Sequence, residues 1–192
     1  GEGAPITTGA MARLFADRVK SRLVVNIGGI ANFYYLPPAT SGRSPQARDC
    51  GPGNSICDIL TRKLLNKPFD RNGAVASRGQ VSQRLLSLLF AHPFFTGRAI
   101  STGREAFGSD MAEEIIGFGQ QLSLSTEDLL ATAAELTTTA IALGVFSLVE
   151  TDHDLRAMYL TGGGRRNAHF HRRLAHHLPD LVIRPIEELG ID

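Results

Sequence analysis

The sequence has little cysteine: two residues in 192, Cys50 and Cys57. Neither falls in a paired CxxC motif and no HExxH run occurs, so the common zinc signatures are missing. On one helix the two thiols would stand two turns apart, roughly 10 Å, too far for a disulfide. They read as small buried thiols in a reducing compartment. An excess of charge is also lacking. The 20 basic and 19 acidic residues leave a formal net charge of +1, without the clustered basic surplus of a nucleic-acid-binding surface. The opening Gly1-Glu2-Gly3-Ala4-Pro5 has neither the basic start nor the apolar core of an export signal. No apolar run in the sequence approaches the ~20 residues of a membrane span. The expectation is a cytoplasmic chain with no nucleic-acid partner and no membrane contact. Internal repeats and low-complexity tracts are absent as well.

What is present is a chain 43% hydrophobic, long enough for one large domain. Met11, Leu14, Phe15 and Val19 sit at helical spacing and predict a short helix over 11–20. Leu23-Val24-Val25-Asn26-Ile27 is a β-branched run ending at Gly28-Gly29, and Ala31 to Leu36 is a second strand stopped by Pro37-Pro38. Together they predict a hairpin with glycines at its bend. A third strand leads into Asp49 after a loop over 37–46. Ile56, Ile59, Leu60 and Leu64 predict a helix to about Asn66, with Asn54 or Ser55 as its cap. Further helices are predicted near 81–92 and 109–121. The longest should run from Ser125 to Glu150, opened by Ser125 with Asp128 three residues on, a capping-box pattern. Its central Thr137-Thr138-Thr139 demands firm tertiary contacts. Met158 to Thr161 predicts a strand, Gly162-Gly163-Gly164 a tight turn, Asn167 to Leu178 a helix and Leu181 to Ile183 a last strand. The order predicts an α/β fold with a mixed sheet flanked by helices. With no closing element at its end, the chain is expected to be truncated.

Three glycine turns follow strands: Gly28-Gly29, Gly51-Pro52-Gly53 and Gly162-Gly163-Gly164. Glycine lets a backbone approach a phosphate closely and aim its N–H groups at the anion. Each turn has an asparagine beside it: Asn26 and Asn32, Asn54, and Asn167. Phosphate or nucleotide binding is the functional reading. The last turn fits a dinucleotide-binding fingerprint poorly, because its sixth position is Asn167 rather than glycine. Arg165-Arg166 could face phosphate or be solvated helix-start charges. Asp49, at the end of its strand, is a candidate general base or an Asx-turn residue. Ser101-Thr102-Gly103-Arg104-Glu105 gathers two hydroxyls and an arginine suited to carboxylate or phosphate recognition; the plainer alternative is a charged surface loop. Asp70-Arg71-Asn72-Gly73 reads as a polar turn. His169, His171, His176 and His177 share one helix with no evident carboxylate or thiol partner, so a wet helix face is favoured over a metal site.

Four motifs occur in one order: Asn26-Ile27-Gly28-Gly29-Ile30-Ala31-Asn32, Asp49-Cys50-Gly51-Pro52-Gly53-Asn54, Ser101-Thr102-Gly103-Arg104-Glu105, and Gly162-Gly163-Gly164-Arg165-Arg166-Asn167. In that order they resemble the anhydro-N-acetylmuramic acid kinase family, a branch of the actin-like, hexokinase and Hsp70 ATPase superfamily with a ribonuclease H-like core. Gly1 to Pro5, and the segments Leu130–Thr132 and Glu135–Thr137, are similar too. The resemblance implies an enzyme that opens a 1,6-anhydro amino sugar with water and phosphorylates the freed O6 from ATP, with Mg2+ on the phosphates. It implies that Asp49 is the base. ATP would meet Asn26, Gly28, Gly29, Gly162, Gly163, Gly164 and Asn167. The anhydro amino-sugar substrate would meet Asn32, Gly51, Pro52, Asn54 and the Ser101–Glu105 motif. No protein metal ligand is assigned. A cytoplasmic homodimer serving peptidoglycan recycling is implied as well. The family's N-terminal Gly-Met-Ser-Gly-Thr-Ser loop and a C-terminal active-site Glu have no counterpart in these 192 residues. The expectation is therefore that 1–192 form the second domain of a two-domain enzyme, with 1–21 an inter-domain or preceding helix. Cys50 stands where the family usually has Thr, which puts the tuning of Asp49 in question.

Overall fold

The structure is a computed structural model that describes residues 4–97 and 107–190, over 4–7 by backbone alone. Its centre is a five-stranded mixed sheet of order β3-β2-β1-β4-β5. The strands are β1 Arg22–Ile27, β2 Ile30–Leu36, β3 Gln46–Pro52, β4 Ala157–Thr161 and β5 Val182–Pro185. The first three form an antiparallel meander. β4 and β5 then add in parallel on the far side of β1. The predicted hairpin is present, its bend at Gly28-Gly29.

The connection from β3 to β4 carries the helices α2 Ser55–Leu65, α3 Gln83–Phe90, α4 Ser109–Gln121 and α5 Thr126–Thr151; α1 is Ala4–Phe15 and α6 Ala168–His177. α5 lies across one face of the sheet. Leu23, Val25, Ile27, Phe33 and Leu160 of the strands meet Leu130, Leu136, Ile141 and Val145 of α5 and Ile56 and Leu60 of α2 in the main core. The opposite face has a smaller core of Phe15, Val24, Leu36 and Ile186, which α1 covers in part with Met11 and Ala12.

The predicted capping box of α5 is formed. Ser125 Oγ accepts from the Asp128 N–H (3.1 Å) and Asp128 Oδ2 from the Ser125 N–H (3.2 Å). The Gln80 N–H, also donating to Asp128, and the Ser125 bonds hold its carboxyl below the usual range. Contrary to the reading of apolar runs, this helix is long and apolar enough to cross a membrane by length and composition. Here 72% of its most apolar window is buried, so it serves as the core helix of the domain.

Two boundaries differ from expectation for local reasons. α1 ends at Phe15 rather than continuing to 20. Asp17 Oδ1 accepts from the Val19 and Lys20 N–H groups (3.0 and 3.2 Å), and the Arg22 guanidinium donates to Phe15 O (2.7 Å) and Asp17 Oδ2 (2.9 Å), fixing a turn. β3 does not end at Asp49 but runs on to Pro52. Ala31 opposes Gly51 while Asn32 opposes Asp49, so Cys50 is the extra residue of a β-bulge.

Candidate functional site

The bulge sets the site. Cross-strand partners share a sheet face. Thr161 lies opposite Asn26, Asn26 opposite Asn32, and Asn32 opposite Asp49. Polar residues of four adjacent strands therefore form one row, at the C-terminal ends of β1 and β4 and beyond the small core built on Val24 and Tyr34. All four are partly buried. Among the described residues Asn32 Oδ1 is buried with no hydrogen-bond partner.

The Cys50 thiol points the other way, toward α5. A Cβ on Gly144 of that helix would lie 3.0 Å from its Sγ. Burial, with the Asp49 charge, pushes this thiol up to about 12. The Asp49 and Cys50 side chains occupy opposite faces of β3. Cys57 is likewise buried and free.

The three glycine turns, far apart in sequence, meet at the end of this row. The Gly53 N–H donates to Gly29 O (2.9 Å) and the Asn54 N–H to Gly28 O (2.7 Å). Of the two predicted caps of α2, Asn54 or Ser55, the structure selects Asn54. It occupies the cap position, but its side chain does not cap; Nδ2 donates instead to Ile27 O (2.8 Å). Gly162, at φ 77°, lies so close to β1 that a Cβ would be 2.5 Å from Asn26 Oδ1 and 2.7 Å from Ile27 O. A side chain at Gly53 would stand 2.2 Å from Gly28 O. Only glycine satisfies these approaches. Gly29 and Gly163 are exposed, and a Cβ on Gly29 would meet nothing within 4 Å. The backbone there is open to a ligand.

Asn167 borders the third turn, with its side chain engaged: Oδ1 accepts from the N–H groups of His169 (3.0 Å) and Phe170 (3.4 Å) and so caps α6. The polar turn at 70–73 docks on the same helix start. Asn72 Oδ1 accepts the Ala168 N–H (3.0 Å), while the Asp70 carboxylate accepts from the Val75 and Ala76 N–H groups. His169 stands among them with Nε2 buried and unpartnered. Burial, reinforced by the Arg172 and Arg173 charges, holds it below the usual histidine value. Arg165, its side chain partly exposed, is paired. Its Nε donates to Glu187 (2.7 Å) and its Nη1 to Gly162 O (3.1 Å), bracing the turn. Ser101, Thr102, Gly103, Arg104 and Glu105 lie outside the described residues.

Two features escaped the sequence reading. The α6 histidines do have a carboxylate nearby: Glu135 of α5, side chain 6% exposed, takes two 2.6 Å hydrogen bonds from Arg173 and lies 3.0 Å from His177 Nε2. The partners are 38 residues or more away in sequence, so only the helix register of α6, which puts 169, 173 and 177 in one line, hinted at it. The second is Thr137, whose hydroxyl donates to Gly53 O (3.0 Å). Among the described residues no group of three or more His, Cys, Asp or Glu is placed to hold a metal ion.

The mixed five-stranded sheet, with glycine turns gathered at the ends of β1, β3 and β4, defines a domain of the actin-like ATPase and sugar kinase fold. A xylulose kinase from Rhodospirillum rubrum superposes with a TM-score of 0.56 at 16% identity, over 95% of this chain and 38% of its own. The activator of the 2-hydroxyisocaproyl-CoA dehydratase from Clostridium difficile, solved with bound ADPNP, gives 0.54 at 17% identity, over 86% of this chain and 54% of its own. Within that fold the sequence is decisive. The chain belongs to the anhydro-N-acetylmuramic acid kinase family, whose profile matches residues 1–192. The anhydro-N-acetylmuramic acid kinase of Shewanella halifaxensis is 38% identical over 194 residues, covering 100% of this chain and 50% of the relative. That of Burkholderia thailandensis is 37% identical over 174 residues, covering 87% and 44%. The chain thus spans about half the length of the curated relatives it matches.

Proposed function

We propose that this chain is the second domain of a two-domain kinase that opens 1,6-anhydro-N-acetylmuramic acid with water and phosphorylates it from ATP. The observation that carries the reading is the row Asn26–Asn32–Asp49, which runs from the gathered glycine turns to a carboxylate on the same sheet face. In this scheme Asp49 takes a proton from the attacking water. The water oxygen bonds to the anomeric carbon as its bond to O6 breaks, and O6 takes the γ-phosphoryl group, giving N-acetylmuramic acid 6-phosphate and ADP. Catalysis in such transfers is mostly positioning and charge stabilisation. Gly28, Gly29 and Asn26 would border the phosphates, and Gly162 to Gly164 with Asn167 the nucleoside. Mg2+ would arrive on the phosphates and neutralise charge there. Asn32, with its unpartnered oxygen, would receive a hydroxyl or amide donor of the sugar beside Asp49, and Gly51, Pro52 and Asn54 would shape that side. The Ser101–Glu105 segment completes the substrate set. The enzyme would act in the cytoplasm, as a homodimer, in peptidoglycan recycling.

Asp49→Asn in the full-length protein tests this. Turnover of the anhydro sugar should fall by about 10²–10⁴ while ATP still binds by calorimetry. Undiminished turnover would remove Asp49 from the role. One observation favours a narrower reading for the isolated chain: it spans half of its relatives, so by itself it would bind nucleotide or sugar without turning over. Calorimetry of the chain alone with each ligand separates binding from turnover.

A further inference from the structure

We infer that Thr137 is a positioning residue for the site, fixing the junction between the Asp49 strand and the glycine turn of the β1–β2 hairpin. The inference rests on the functional reading of that site. Four other helix threonines donate their hydroxyls back to their own helix, while Thr139 of α5 meets His177 Nε2 of α6 (3.3 Å). Thr61 donates to Cys57 O (2.7 Å), Thr132 to Asp128 O (2.7 Å), Thr138 to Ala134 O (3.2 Å) and Thr151 to Ser147 O (2.6 Å). Thr137 departs from this. Its shorter bond, 3.0 Å, crosses 84 residues to Gly53 O, and the local bond to Ala133 O is the longer at 3.4 Å.

The target matters. Gly53 is buried. Its N–H is held by Gly29 O (2.9 Å), and the next peptide by Gly28 O (2.7 Å). With its carbonyl held by α5, Gly53 has both ends of its backbone fixed. One residue therefore ties the core helix to the turn that ends β1 and to the strand that carries Asp49. Thr137 is fully buried, so no water replaces its hydroxyl when it is removed. Without it the Gly53 carbonyl loses that donor, and its peptide is held only through the Asn54 N–H bond to Gly28 O. Thr137 touches neither sugar nor nucleotide; it acts through Gly53.

The test is steady-state kinetics of the full-length protein with ATP and 1,6-anhydro-N-acetylmuramic acid, with a thermal melt of each variant. Thr137→Val keeps the shape and removes the donor. The expected result is a fall in kcat of about tenfold, the ratio that ~1.4 kcal/mol gives, with both KM values nearly unchanged. Thr137→Ser should restore kcat. Thr61→Val, which removes an equally buried hydroxyl bonded only within α2, should leave kcat at the wild-type value. A wild-type kcat for Thr137→Val, no rescue by Ser, or equal damage from Thr61→Val would overturn the inference. Should Thr137→Val not fold, Thr137→Cys, with a weak donor of similar size, carries the same comparison against Ser. Asp49→Asn is measured alongside. If it keeps full turnover, the reading of the site fails and this inference with it. If it abolishes turnover while Thr137→Val does not lower kcat, only the inference fails.

Discussion

The two ends of the sheet handle buried polar groups in opposite ways. Before β1 and after α5, Asp152 is 5% exposed and fully engaged. Its Oδ2 accepts from Ser21 Oγ (2.5 Å), Tyr35 OH (2.6 Å) and Arg43 (3.3 Å), and its Oδ1 from the Asp154 N–H (3.2 Å). This cluster joins the entry to β1, the far end of β2 and the link to β4. At the other end, Asn32 Oδ1 and, beside the glycine turns, Ser55 Oγ are buried without partners. Satisfied polar networks rigidify a fold, whereas an unsatisfied buried group costs stability and calls for a reason. The satisfied end ties the fold together, and the unsatisfied end is the one where the proposed function puts the ligand.

The largest effect should come from filling the glycine junction at the site end. A Cβ on Gly53 would lie 2.2 Å from the Gly28 carbonyl oxygen, and backbone cannot step aside as a flexible side chain does. Gly53→Ala should cost about 3 kcal/mol, a fall of about 6–12 °C in melting temperature for a domain of this size. Gly29→Ala, which meets nothing within 4 Å, is the matched control. Equal melting temperatures for the two variants would show that the turns are not locked together.

That lock was only partly legible in the sequence. The hairpin, α2, α4, the α5 capping box and α6 follow from periodicity and caps, which are local. Asp49 was placed at a strand end because Gly51-Pro52-Gly53 reads as a turn; the bulge that carries β3 through to Pro52 depends on pairing with β2, which no local pattern specifies. The glycine turns and asparagines converge at one end of the sheet, yet the Asn54 side chain goes to Ile27 O rather than to its helix. Glu135 and Thr137 carried no signal as individuals, since their partners come from other elements. The motif order identified the family because it integrates such distant constraints.

A smaller effect separates the ends by pH. Burial raises the carboxyls of Asp152 and Glu135, but hydrogen bonds outweigh it: Ser21 and Tyr35 at the first, Arg173 at the second with the charges of His177 and Arg173. Both finish below their ordinary values of 3.8 and 4.5. A depressed folded pKa means that the unfolded chain binds the proton more readily, so the stabilisation is full above those values and is lost as pH falls through the lower folded ones. Burial likewise holds His177 below 6.5 against the pull of Glu135, so acid destabilises there from about the ordinary histidine value downward. Urea midpoints of the full-length protein should be flat from neutrality to about pH 8, fall modestly below pH 6.5 and fall further in the carboxylate range. Glu135→Gln should shrink the acid loss; an unchanged pH profile would mean that the α5–α6 pair contributes nothing.

The smallest effect on stability is expected at the most telling position. Asp152→Ala strips acceptors from the buried Tyr35 and Ser21 hydroxyls and should cost about 2–3 kcal/mol. Asn32→Ala instead removes an oxygen that has no partner to lose, so the relief of an unsatisfied group offsets part of the lost contact. The net change should stay within about 1 kcal/mol. Its cost belongs to function: with Asn32 beside Asp49 in register, the sugar KM should rise while the melting temperature barely moves. If Asn32→Ala destabilises the protein as much as Asp152→Ala does and leaves the KM unchanged, the two ends of the sheet are alike and Asn32 is a structural residue.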